Sequence, residues 1–513
     1  MLQICFRAAR LNPPSDPSEA ARALARVRGR RVLFRADASP EIGTGHISRC
    51  LALADELAHR GWSITFASRD PDGDLRDVVT SAGFQLIRVA GDEVGEIRLL
   101  RSALPERQDW LVLDSYVLGN AWLDHAKQLA RHRAVIDDLQ RFELDCDLFV
   151  HPTPLRGPAS SASVAAPALI GPRYALLRSQ FSRAHIEGGA RVVGDVRSIL
   201  VSLGGAVDGR ITTSVAQACH LAVPEAEVVA VLGHQISDQE AGHDEPMVRY
   251  LARVEDMAAL MLRVDMAVGA GGTTSWERCA VGLPSIIVAI ADNQVPVGRT
   301  LTENGCAVYL GDLKSLEPRR LEEEIRLLAA SRDRRSAMSS ASRGLVDGLG
   351  VMRVAHHLDG VRIRRATMAD ASLLWRWAND PDTRAASFTS EPIPYPDHVR
   401  WLQERLADRS CLLLIGWNGA GPLGQVRFDR TEDEAEVSIS VAPEHRGVVG
   451  SLLLESALQR FRHGSLRSNI VVARVKIDNE RSRRLFERAG FRLVGEREGV
   501  LLYHASASAD ATS

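Results

Sequence analysis

The chain has 513 residues, of which 45% are hydrophobic and 25% are charged, as in ordinary globular proteins. This length is enough for about three domains of ~150 residues each. The formal net charge is only −2, so charge gives no reason to expect a nucleic-acid partner or an anionic membrane surface as partner.

Cysteine usage and the composition of residues 1–30 narrow the possible class of protein further. The seven cysteines form no CxxC pair, which argues against a zinc site and favours reduced thiols in a cytoplasmic protein. No apolar run reaches the ~18 residues that a membrane-spanning helix needs. Residues 1–30 are rich in Arg and Ala, contain three prolines and lack the apolar core of a signal peptide, so we expect a disordered leader there.

Short apolar runs alternate with helical patterns over residues 31–186. The first run, Val32–Phe34, precedes an amphipathic helix over His46–Arg60. Further strands are predicted at Ser63–Ala67, Phe84–Val89, Trp110–Leu113 and Ala134–Ile136. This alternation predicts a parallel sheet that is covered by helices on both faces.

A Gly-rich linker is expected at Glu187–Asp195, and the same alternation restarts over residues 196–350. Strands are predicted at Ser198–Leu203, Val228–Leu232, Met266–Gly269 and Ser285–Ile290. Helices are predicted at residues 208–222, 255–263, 273–281, 294–304, 317–330 and 333–345. Two doubly wound units in succession predict an α/β protein with a GT-B-like pair of halves and a ligand cleft between them.

The pattern changes near residue 361, where short alternating strands replace the longer apolar runs. Strands are predicted at Val361–Arg364, Leu412–Ile415, Gly424–Phe428, Ala435–Val441 and residues 470–475. Helices are predicted at about residues 450–462 and 480–489. Together these elements predict an α+β domain over residues 361–505.

A glycine-rich turn joins the first strand to the first helix. It contains Gly43 and Gly45 and places His46 at the carboxyl end of a strand, where open α/β sheets bind ligands. The glycines let the backbone approach a ligand, and the helix N-terminus offers free N–H groups to a phosphate. A neutral His46 is a candidate general base, and the alternative is a solvated histidine near a helix N-cap.

A comparable turn occurs in the second half. Gly271, Gly272 and Thr274 lie at the start of a helix whose first turns carry Glu277, a candidate for hydrogen bonds with ribose hydroxyl groups. An acidic residue there also complements the helix dipole without any ligand, and the sequence leaves both interpretations open. Further polar or flexible positions at strand ends are Gly205 and Asn293.

These turns resemble a known family when their neighbours are included. Residues 35–39 (RADAS) and 42–46 (IGTGH), followed by Arg49-Cys50, are similar to the opening motif of the UDP-2,4-diacetamido-2,4,6-trideoxy-β-L-altropyranose hydrolases of the pseudaminic acid pathway. Other similar stretches are residues 113–116 (LDSY), 136–139 (IDDL), 171–178 (GPRYALLR), 202–205 (SLGG), 269–284 and 293–294. The resemblance covers about residues 31–350.

The resemblance implies a metal-independent enzyme in which His46 activates water for attack at the anomeric carbon of the sugar. The reaction would proceed with inversion and release UDP. Asp37 is the second catalytic candidate, and Asp37, Asp114 and Tyr116 are candidates for sugar contacts. The implied substrate- and UDP-binding residues are Gly43, Gly45, Arg49, Gly205, Gly271, Gly272, Thr274, Glu277 and Asn293.

The C-terminal domain carries a third pattern. Residues 438–447 (SISVAPEHRG) lead to a Gly/Ser turn and a helix, and residues 479–491 (NERSRRLFERAGF) follow a strand. Both stretches resemble the GNAT acetyltransferases, in which a Gly-rich turn holds the pyrophosphate of acetyl-CoA. The resemblance implies acetyl-CoA contacts from Val441, Arg446, Gly447, Gly450, Ser451, Asn479, Ser482 and Phe486.

This turn departs from the family pattern Arg-Gly-x-Gly-x-Gly. Residues 446–451 (RGVVGS) lack one glycine and place Val448 and Val449 where backbone amides should face phosphate. Phe486 stands where many members have a tyrosine acid, which leaves the proton to Glu436 or to water. A degenerate, structural GNAT domain is therefore the alternative. The aromatic residues Trp375, Trp377 and Phe388 are candidates for acceptor contacts or for core packing.

The two resemblances together imply a bifunctional enzyme whose substrates are a UDP-linked amino sugar and acetyl-CoA. One domain would acetylate the 4-amino group of the UDP-sugar, and the other would hydrolyse the product to UDP and free sugar. Two alternatives stay open: a GT-B glycosyltransferase with a GNAT domain, and a nucleotide-sugar binding module with a degenerate GNAT domain. The sequence gives neither the sugar stereoisomer nor the oligomeric state.

Overall fold

The structure is a computed structural model, and it describes a large part of the chain in separate ranges. These ranges are residues 29–37, 45–69, 74–141, 143–154, 166–188, 194–204, 207–232, 247–252, 254–432, 434–464, 468 and 470–506. The leader expected at residues 1–30 lies outside them apart from its last two residues. The chain forms two compact units, one over Arg30–Ala355 and one from His356 onward. In the described ranges no helix is both long and apolar enough to cross a membrane.

Seven parallel strands form the first sheet of the Arg30–Ala355 unit, in the order β3-β2-β1-β4-β5-β6-β7. The strands are β1 (Arg31–Ala36), β2 (Ser63–Ser68), β3 (Gln85–Arg88), β4 (Gln108–Asp114), β5 (Ala130–Ile136), β6 (Leu148–His151) and β7 (Ala168–Ile170). The helices between them are α1 (Gly45–His59), α2 (Asp74–Ser81), α3 (Glu93–Ala103) and α4 (Asn120–Ala126). The sequence prediction misses β6 and β7, because strands of four and three residues are too short to show a pattern.

The second sheet of this unit has six parallel strands in the order β10-β9-β8-β11-β12-β13. The strands are β8 (Ser198–Ser202), β9 (Glu227–Val231), β10 (Val248–Leu251), β11 (Met266–Ala270), β12 (Ser285–Ala289) and β13 (Val308–Asp312). The helices are α5 (Ser179–Glu187), α6 (Gly209–Ala222), α7 (Met257–Arg263), α8 (Thr273–Ala280), α9 (Val295–Glu303), α10 (Pro318–Ala330), α11 (Arg332–Leu345) and α12 (Gly350–Asp359). Of these elements, β10, β13, α5 and α12 were not predicted.

Both faces of the second sheet are buried, as the continuous apolar strands predict. Ile199 and Val201 of β8 join one core cluster with side chains of α6 and α10, whereas Leu200 joins a second cluster with α7, α8 and α9. Phe181 and Ala184 of α5 belong to this second cluster. The chain therefore packs against the second sheet before it reaches the Gly-rich stretch at residues 187–195.

The unit from His356 onward contains a mixed seven-stranded sheet in the order β14-β15-β16-β17-β18-β20-β19. The strands are β14 (Arg362–Arg365), β15 (Cys411–Asn418), β16 (Gly421–Arg430), β17 (Glu434–Val441), β18 (Ile470–Lys476), β19 (Arg492–Arg497) and β20 (Val500–Ser506). The helices are α13 (Ala371–Ala378), α14 (Pro381–Ala386), α15 (Tyr395–Ala407), α16 (Gly450–Arg462) and α17 (Glu480–Arg488). Helices α16 and α17 cover one face of the sheet, and α13 and α15 cover part of the other.

The parallel strands β17 and β18 separate in the middle of this sheet. Three register pairs join them, and the last pair is Glu436 with Val472. Beyond that pair β17 continues to Val441 alongside β16, whereas β18 continues to Lys476 alongside β20. The sheet therefore opens between the two strands at the end where α16 begins.

Candidate functional site

A large cleft lies between the carboxyl ends of the two parallel sheets of the Arg30–Ala355 unit. Its volume of about 1930 Å³ exceeds the usual size of a pocket for one small ligand. Residues from both halves line it, and they include most of the predicted positions together with several that were not assigned a role. The lining residues include Gly45, His46, Arg49, Tyr116, Asp138, Arg178, Gly271, Gly272, Thr273, Thr274, Glu277, Asn293 and Gln294.

His46 lies in the first turn of α1, and its ring is held by a buried carboxylate. The His46 Nδ1 atom is 2.5 Å from Asp114 Oδ1, and Asp114 ends β4, the strand next to β1. A carboxylate can only accept hydrogen bonds, so His46 Nδ1 carries the ring proton and donates a hydrogen bond to Asp114. The Nε2 atom is then the basic nitrogen of the ring, as a general base requires.

Arg49, one turn further along α1, holds the same carboxylate from the other side. Its Nε atom donates to Asp114 Oδ2 at 2.5 Å and its Nη2 atom to Asp114 Oδ1 at 2.6 Å. Burial by itself raises the pKa of Asp114, but the charge of Arg49 and these hydrogen bonds outweigh it and keep the pKa well below its ordinary value. Asp114 is therefore ionised and fixed, and it fixes His46.

Asp138, which follows β5, extends this network to Tyr116. Arg49 Nη1 donates to Asp138 Oδ2 at 2.5 Å, and the Tyr116 hydroxyl donates to the same oxygen at 3.2 Å. Burial and the nearby Asp138 charge raise the pKa of Tyr116, so its hydroxyl keeps its proton. The Tyr116 ring also packs edge-on against His46, with the ring centroids 4.3 Å apart.

The second half reaches this network through Asn293. The Asn293 Nδ2 atom donates to the Tyr116 hydroxyl at 3.1 Å. Asn293 follows β12 and Tyr116 follows β4, so this hydrogen bond joins the ends of the two sheets across the cleft. A nucleotide-sugar in the cleft would therefore contact a site built from both halves.

Two helix N-termini face each other near His46. A Cβ atom placed on Gly45, the first residue of α1, would lie 3.8 Å from Thr273 Oγ1 at the start of α8. Neither Gly45 nor Thr273 has a bulky side chain. Among the described residues, no side chain caps the start of α8 at Gly272. The uncapped start of α8 and the two helix dipoles make this region suitable for the diphosphate of a nucleotide.

The glycines before α8 serve different purposes. The Gly271 N–H already donates to Gln294 Oε1 at 3.2 Å, and a Cβ atom on Gly271 would lie 2.8 Å from the Gln294 backbone oxygen. Gly271 thus permits close packing against Gln294 rather than offering its own N–H to a ligand. Gly272 is more open, because a Cβ atom there would come no closer than 3.8 Å to Gln294.

Glu277 lies on α8 and pairs with an arginine that the sequence prediction did not assign. Arg178 Nη2 donates to Glu277 Oε1 at 3.3 Å. Burial raises the pKa of Glu277, and the Arg178 charge counteracts part of that effect. The neighbouring Arg278 has a structural role, since it is buried and donates a hydrogen bond to the Ala270 backbone oxygen at 2.8 Å.

Asp37, the second predicted catalytic residue, is not brought to His46. Its Oδ1 atom accepts hydrogen bonds from Arg35 Nη1 at 2.5 Å and from the Arg69 backbone N–H at 2.8 Å. Asp37 is also absent from the described residues that line the cleft. These hydrogen bonds indicate that Asp37 has a structural role at the end of β1. Two predicted positions, Gly43 and Gly205, lie outside the described residues.

In the C-terminal unit, Arg446 is not oriented toward the expected pyrophosphate turn. Its Nη2 atom donates to Thr383 Oγ1 at 2.7 Å and to Asp380, and its Nη1 atom donates to Asp382 Oδ2 at 3.1 Å. These residues form the N-terminus of α14. Arg446 therefore holds α14 against the start of the turn, which differs from the predicted coenzyme contact.

The turn before α16 keeps part of what a phosphate-binding turn needs, although the Val448 and Val449 N–H groups donate to the His445 backbone oxygen at 3.2 and 3.3 Å. Gly447 has a φ of +76°, a conformation that favours glycine, and the described residues provide no side-chain cap for α16. Val448 and Val449 are buried, so their side chains point into the domain instead of standing over the amides. A Cβ atom on Gly450 would lie 3.5 Å from Val441, which places the turn beside the end of β17.

The remaining predicted coenzyme residues divide into two groups. Asn479 caps α17, because its Oδ1 atom accepts from the Ser482 backbone N–H at 3.1 Å. Phe486 is buried in the core and packs against Phe491, with centroids 5.1 Å apart, so it is a core residue in place of the predicted coenzyme contact. Val441, Ser451 and Ser482 are partly exposed near the opening between β17 and β18. This opening and the uncapped start of α16 fit the elongated, anionic acetyl-CoA molecule.

Asp114 and Tyr116, which the sequence offers only as candidates for sugar contacts, share one feature with Asp138, which it leaves unassigned. Asp114 ends a strand of the first sheet, and Tyr116 and Asp138 each follow one, where the carboxyl ends of parallel strands meet. That position is a signal that the sequence does contain. In the described part of the chain, no group of three or more His, Cys, Asp or Glu side chains is arranged to hold a metal ion.

Comparison with known proteins gives a separate family match for each of the two units. The GNAT acetyltransferase domain family matches residues 361–492, and the glycosyltransferase family 28 C-terminal domain matches residues 203–352. The spore coat polysaccharide biosynthesis protein SpsG of Bacillus subtilis is 27% identical over 190 residues, which are 36% of this chain and 56% of SpsG. The matched part of this chain therefore spans little more than half the length of SpsG.

Two further similarities concern larger shares of the chain. The uncharacterised protein MJ1062 of Methanocaldococcus jannaschii is 19% identical over 515 residues, covering 93% of this chain and all of that protein. The crystal structure of Acinetobacter baumannii MurG aligns with 64% of this chain and 99% of its own, at 16% identity and a TM-score of 0.49. The predicted fold class is confirmed: a GT-B-like pair of α/β halves precedes a GNAT domain. The chain therefore joins a region similar to SpsG and to the glycosyltransferase family 28 C-terminal domain to a region similar to the GNAT acetyltransferase domain.

Proposed function

We propose that the Arg30–Ala355 unit hydrolyses UDP-2,4-diacetamido-2,4,6-trideoxy-β-L-altropyranose to UDP and free sugar, and that the C-terminal unit makes this substrate by N-acetylation of a UDP-4-amino sugar. The observation that carries the hydrolase half is the His46–Asp114 hydrogen bond in a cleft between two helix N-termini. The relation to SpsG, a polysaccharide biosynthesis protein, supports a nucleotide-sugar substrate.

The hydrolysis follows from the position of each group. His46 Nε2 accepts a proton from water as the water oxygen bonds to the anomeric carbon, and the bond from that carbon to the diphosphate oxygen breaks. UDP leaves with the electron pair, and the N-termini of α1 and α8 stabilise its charge. Asp114 stabilises the resulting imidazolium. Attack from the face opposite to UDP inverts the anomeric configuration.

A glycosyltransferase is the second candidate, and the match of residues 203–352 to a glycosyltransferase family favours it. In that case His46 would take the proton from a sugar hydroxyl group instead of water. Mass spectrometry of the products without any added acceptor separates the two. We expect free diacetamido sugar and UDP in equal amounts, and a requirement for an acceptor would establish transfer instead.

The acetyl transfer uses the opening between β17 and β18. Acetyl-CoA supplies the acetyl group as a thioester. The 4-amino nitrogen forms a bond to the acetyl carbon, the carbon–sulfur bond breaks, and CoA leaves as the thiolate with the electron pair of that bond. Glu436, at the last pair between the two strands, is positioned to accept the amine proton. Incubation with acetyl-CoA and a panel of UDP-4-amino-4,6-dideoxy sugars, followed by mass spectrometry, tests both steps and identifies the sugar.

Ser451→Glu tests the coenzyme site directly. A carboxylate in the first turn of α16 suits the helix dipole but repels a pyrophosphate, so we expect the Kd of CoA to rise by about tenfold or more without loss of stability. Isothermal titration calorimetry measures the affinity. Gln459→Glu adds the same charge to the exposed far part of α16 and should leave the Kd unchanged. Equal affinity in both variants would place the coenzyme elsewhere.

Tyr116→Phe tests the hydrogen bond between the two halves. The substitution removes the acceptor of Asn293 and the donor to Asp138, each worth about 0.5–1.5 kcal/mol. We expect kcat/KM for UDP release to fall by about 3- to 30-fold, while the His46–Asp114 pair and the pH dependence of the rate are retained. Steady-state kinetics across a pH series provides the check. An unchanged kcat/KM would show that this bond plays no part in the active form.

A further inference from the structure

The face of the GNAT-domain sheet that is opposite α16 and α17 carries a strip of polar side chains. On β16, Val426 and Phe428 point into the core with α16, so Arg427 points to the other face. Arg427 pairs directly with Ser438 of β17, which places both on that other face. Glu436 and Arg474 continue the strip across β17 and β18, with Arg474 Nη1 3.9 Å from Glu436 Oε2. We call these four residues, Arg427, Glu436, Ser438 and Arg474, the polar strip.

An exposed aromatic ring borders the polar strip. Phe388 is 59% exposed, and the Arg474 guanidinium lies 5.8 Å from its ring centroid. The segment that carries Phe388 is held there, because Lys476 Nζ donates to the Ala385 backbone oxygen at 3.2 Å at the end of α14. By contrast, Trp377 is buried in the core and Trp375 donates to the Ile393 backbone oxygen. Of the three aromatic candidates, Phe388 therefore presents the most exposed ring, whereas Trp375 is partly buried.

The polar strip adjoins the point where β17 and β18 separate. Glu436 belongs to the last pair between these strands, and the turn before α16 lies at the far end of β17. The opening between β17 and β18 thus has the turn before α16 at one end and the polar strip at the other. Arg474 and Glu436 are each about half exposed, so their ion pair is weak and an anionic ligand can displace Glu436 from Arg474.

We propose that Phe388 and Arg474 form the nucleotide-recognition part of the acceptor site of the GNAT domain, which selects an amine attached to a nucleoside diphosphate. The proposal rests on the proposed acetyl transfer and names the residues that recognise the nucleotide of its acceptor. The uracil ring stacks on the exposed face of Phe388, and the guanidinium of Arg474 pairs with the diphosphate. Pairing of Arg474 with phosphate releases Glu436, whose carboxylate then accepts the proton of the amine.

The test measures acetyl transfer by the full chain as release of CoA thiol, with the UDP-4-amino sugar as varied substrate. Phe388→Ala and Arg474→Ala are expected to raise the KM for this sugar by about fivefold or more while changing kcat little. Glu436→Gln is expected to lower kcat while changing KM little. Leu493→Ala and Arg497→Ala remove an exposed apolar and an exposed cationic side chain from β19, so they serve as matched controls and should match the wild type.

A binding measurement complements the kinetics. Equilibrium dialysis of UDP with the full chain and saturating CoA is expected to give two bound UDP molecules per chain, and one after Phe388→Ala. A KM that is unchanged in both variants, with acetyl transfer intact in the wild type, would overturn this acceptor site alone. Efficient use of a polyamine or of the free amino sugar by the wild type would also overturn it. Absence of acetyl transfer to every UDP-amino sugar in the wild type would overturn the proposed function itself.

Discussion

His46→Gln is expected to lower the rate of UDP release by about 10²- to 10⁴-fold, because the variant loses the general base. The glutamine amide can still donate a hydrogen bond to Asp114, so the buried carboxylate keeps its partner and the cleft keeps its packing. In the proposed mechanism, UDP is held by the N-termini of α1 and α8 and by the second half. We therefore expect the Kd of UDP to change by less than about threefold. Steady-state kinetics and calorimetry with UDP measure the two quantities on the same preparation.

His59→Gln is the matched control for this variant. His59 ends the same helix, its side chain is 74% exposed, and among the described residues its ring contacts Asp55 of that helix. This substitution should leave both the rate and the UDP affinity unchanged. If His46→Gln keeps more than about a tenth of the wild-type rate, His46 is not the base. If neither the wild type nor any variant turns over the substrate, the nucleotide-sugar binding interpretation gains support.

The sequence predicts the position of His46 more readily than it predicts the residue that holds the His46 ring. A strand that runs into a glycine-rich turn and a helix places the residue at the carboxyl end of a sheet, and the structure has β1 and α1 at those positions. Its partner Asp114 is 68 residues away in the sequence. Only the parallel pairing of β1 with β4 brings the two together, and a strand order of this kind is not contained in the local pattern.

The limits of the local pattern are clearer still in the GNAT domain. Arg446 has the charge and the position of a phosphate ligand in the sequence, but Asp380 and Asp382 on α14 compete for it in the structure. Helices α13, α14 and α15 were not predicted, so these carboxylates could not enter the prediction. Phe486 likewise matches a motif position, yet the apolar surroundings of α17 bury it in the core. A motif specifies the residue, whereas the competing partners come from elements that are distant in sequence.

Asp114→Asn is expected to impair both stability and hydrolysis. The substitution removes the charge that neutralises Arg49, a buried guanidinium whose other carboxylate partner among the described residues is Asp138. Breaking a buried ion pair from one side costs about 3–5 kcal/mol, so the midpoint of thermal unfolding should fall by several degrees. The asparagine amide can also donate to His46 Nδ1, which shifts the ring proton to Nε2 and blocks the base. We expect hydrolysis to fall by about 10²-fold or more, in addition to any loss from unfolding. Thermal unfolding and initial rates measured well below the midpoint separate the two effects.

The pH dependence of stability distinguishes this explanation from a simple packing defect. The pKa of Asp114 is lower in the folded chain than its ordinary value of 3.8, so the unfolded state binds the proton more readily. Its contribution to stability is therefore complete above pH 3.8 and is lost as the pH falls through the lower, folded pKa. Wild type should lose stability relative to Asp114→Asn below about pH 4, and the two unfolding curves should converge in acid. Asp124→Asn is the control, because Asp124 forms an exposed pair with Lys127 and its removal should cause no measurable change near neutral pH. Parallel curves for wild type and Asp114→Asn down to strong acid would show that Asp114 is not ionised in the folded protein, and the orientation of His46 would then need another cause.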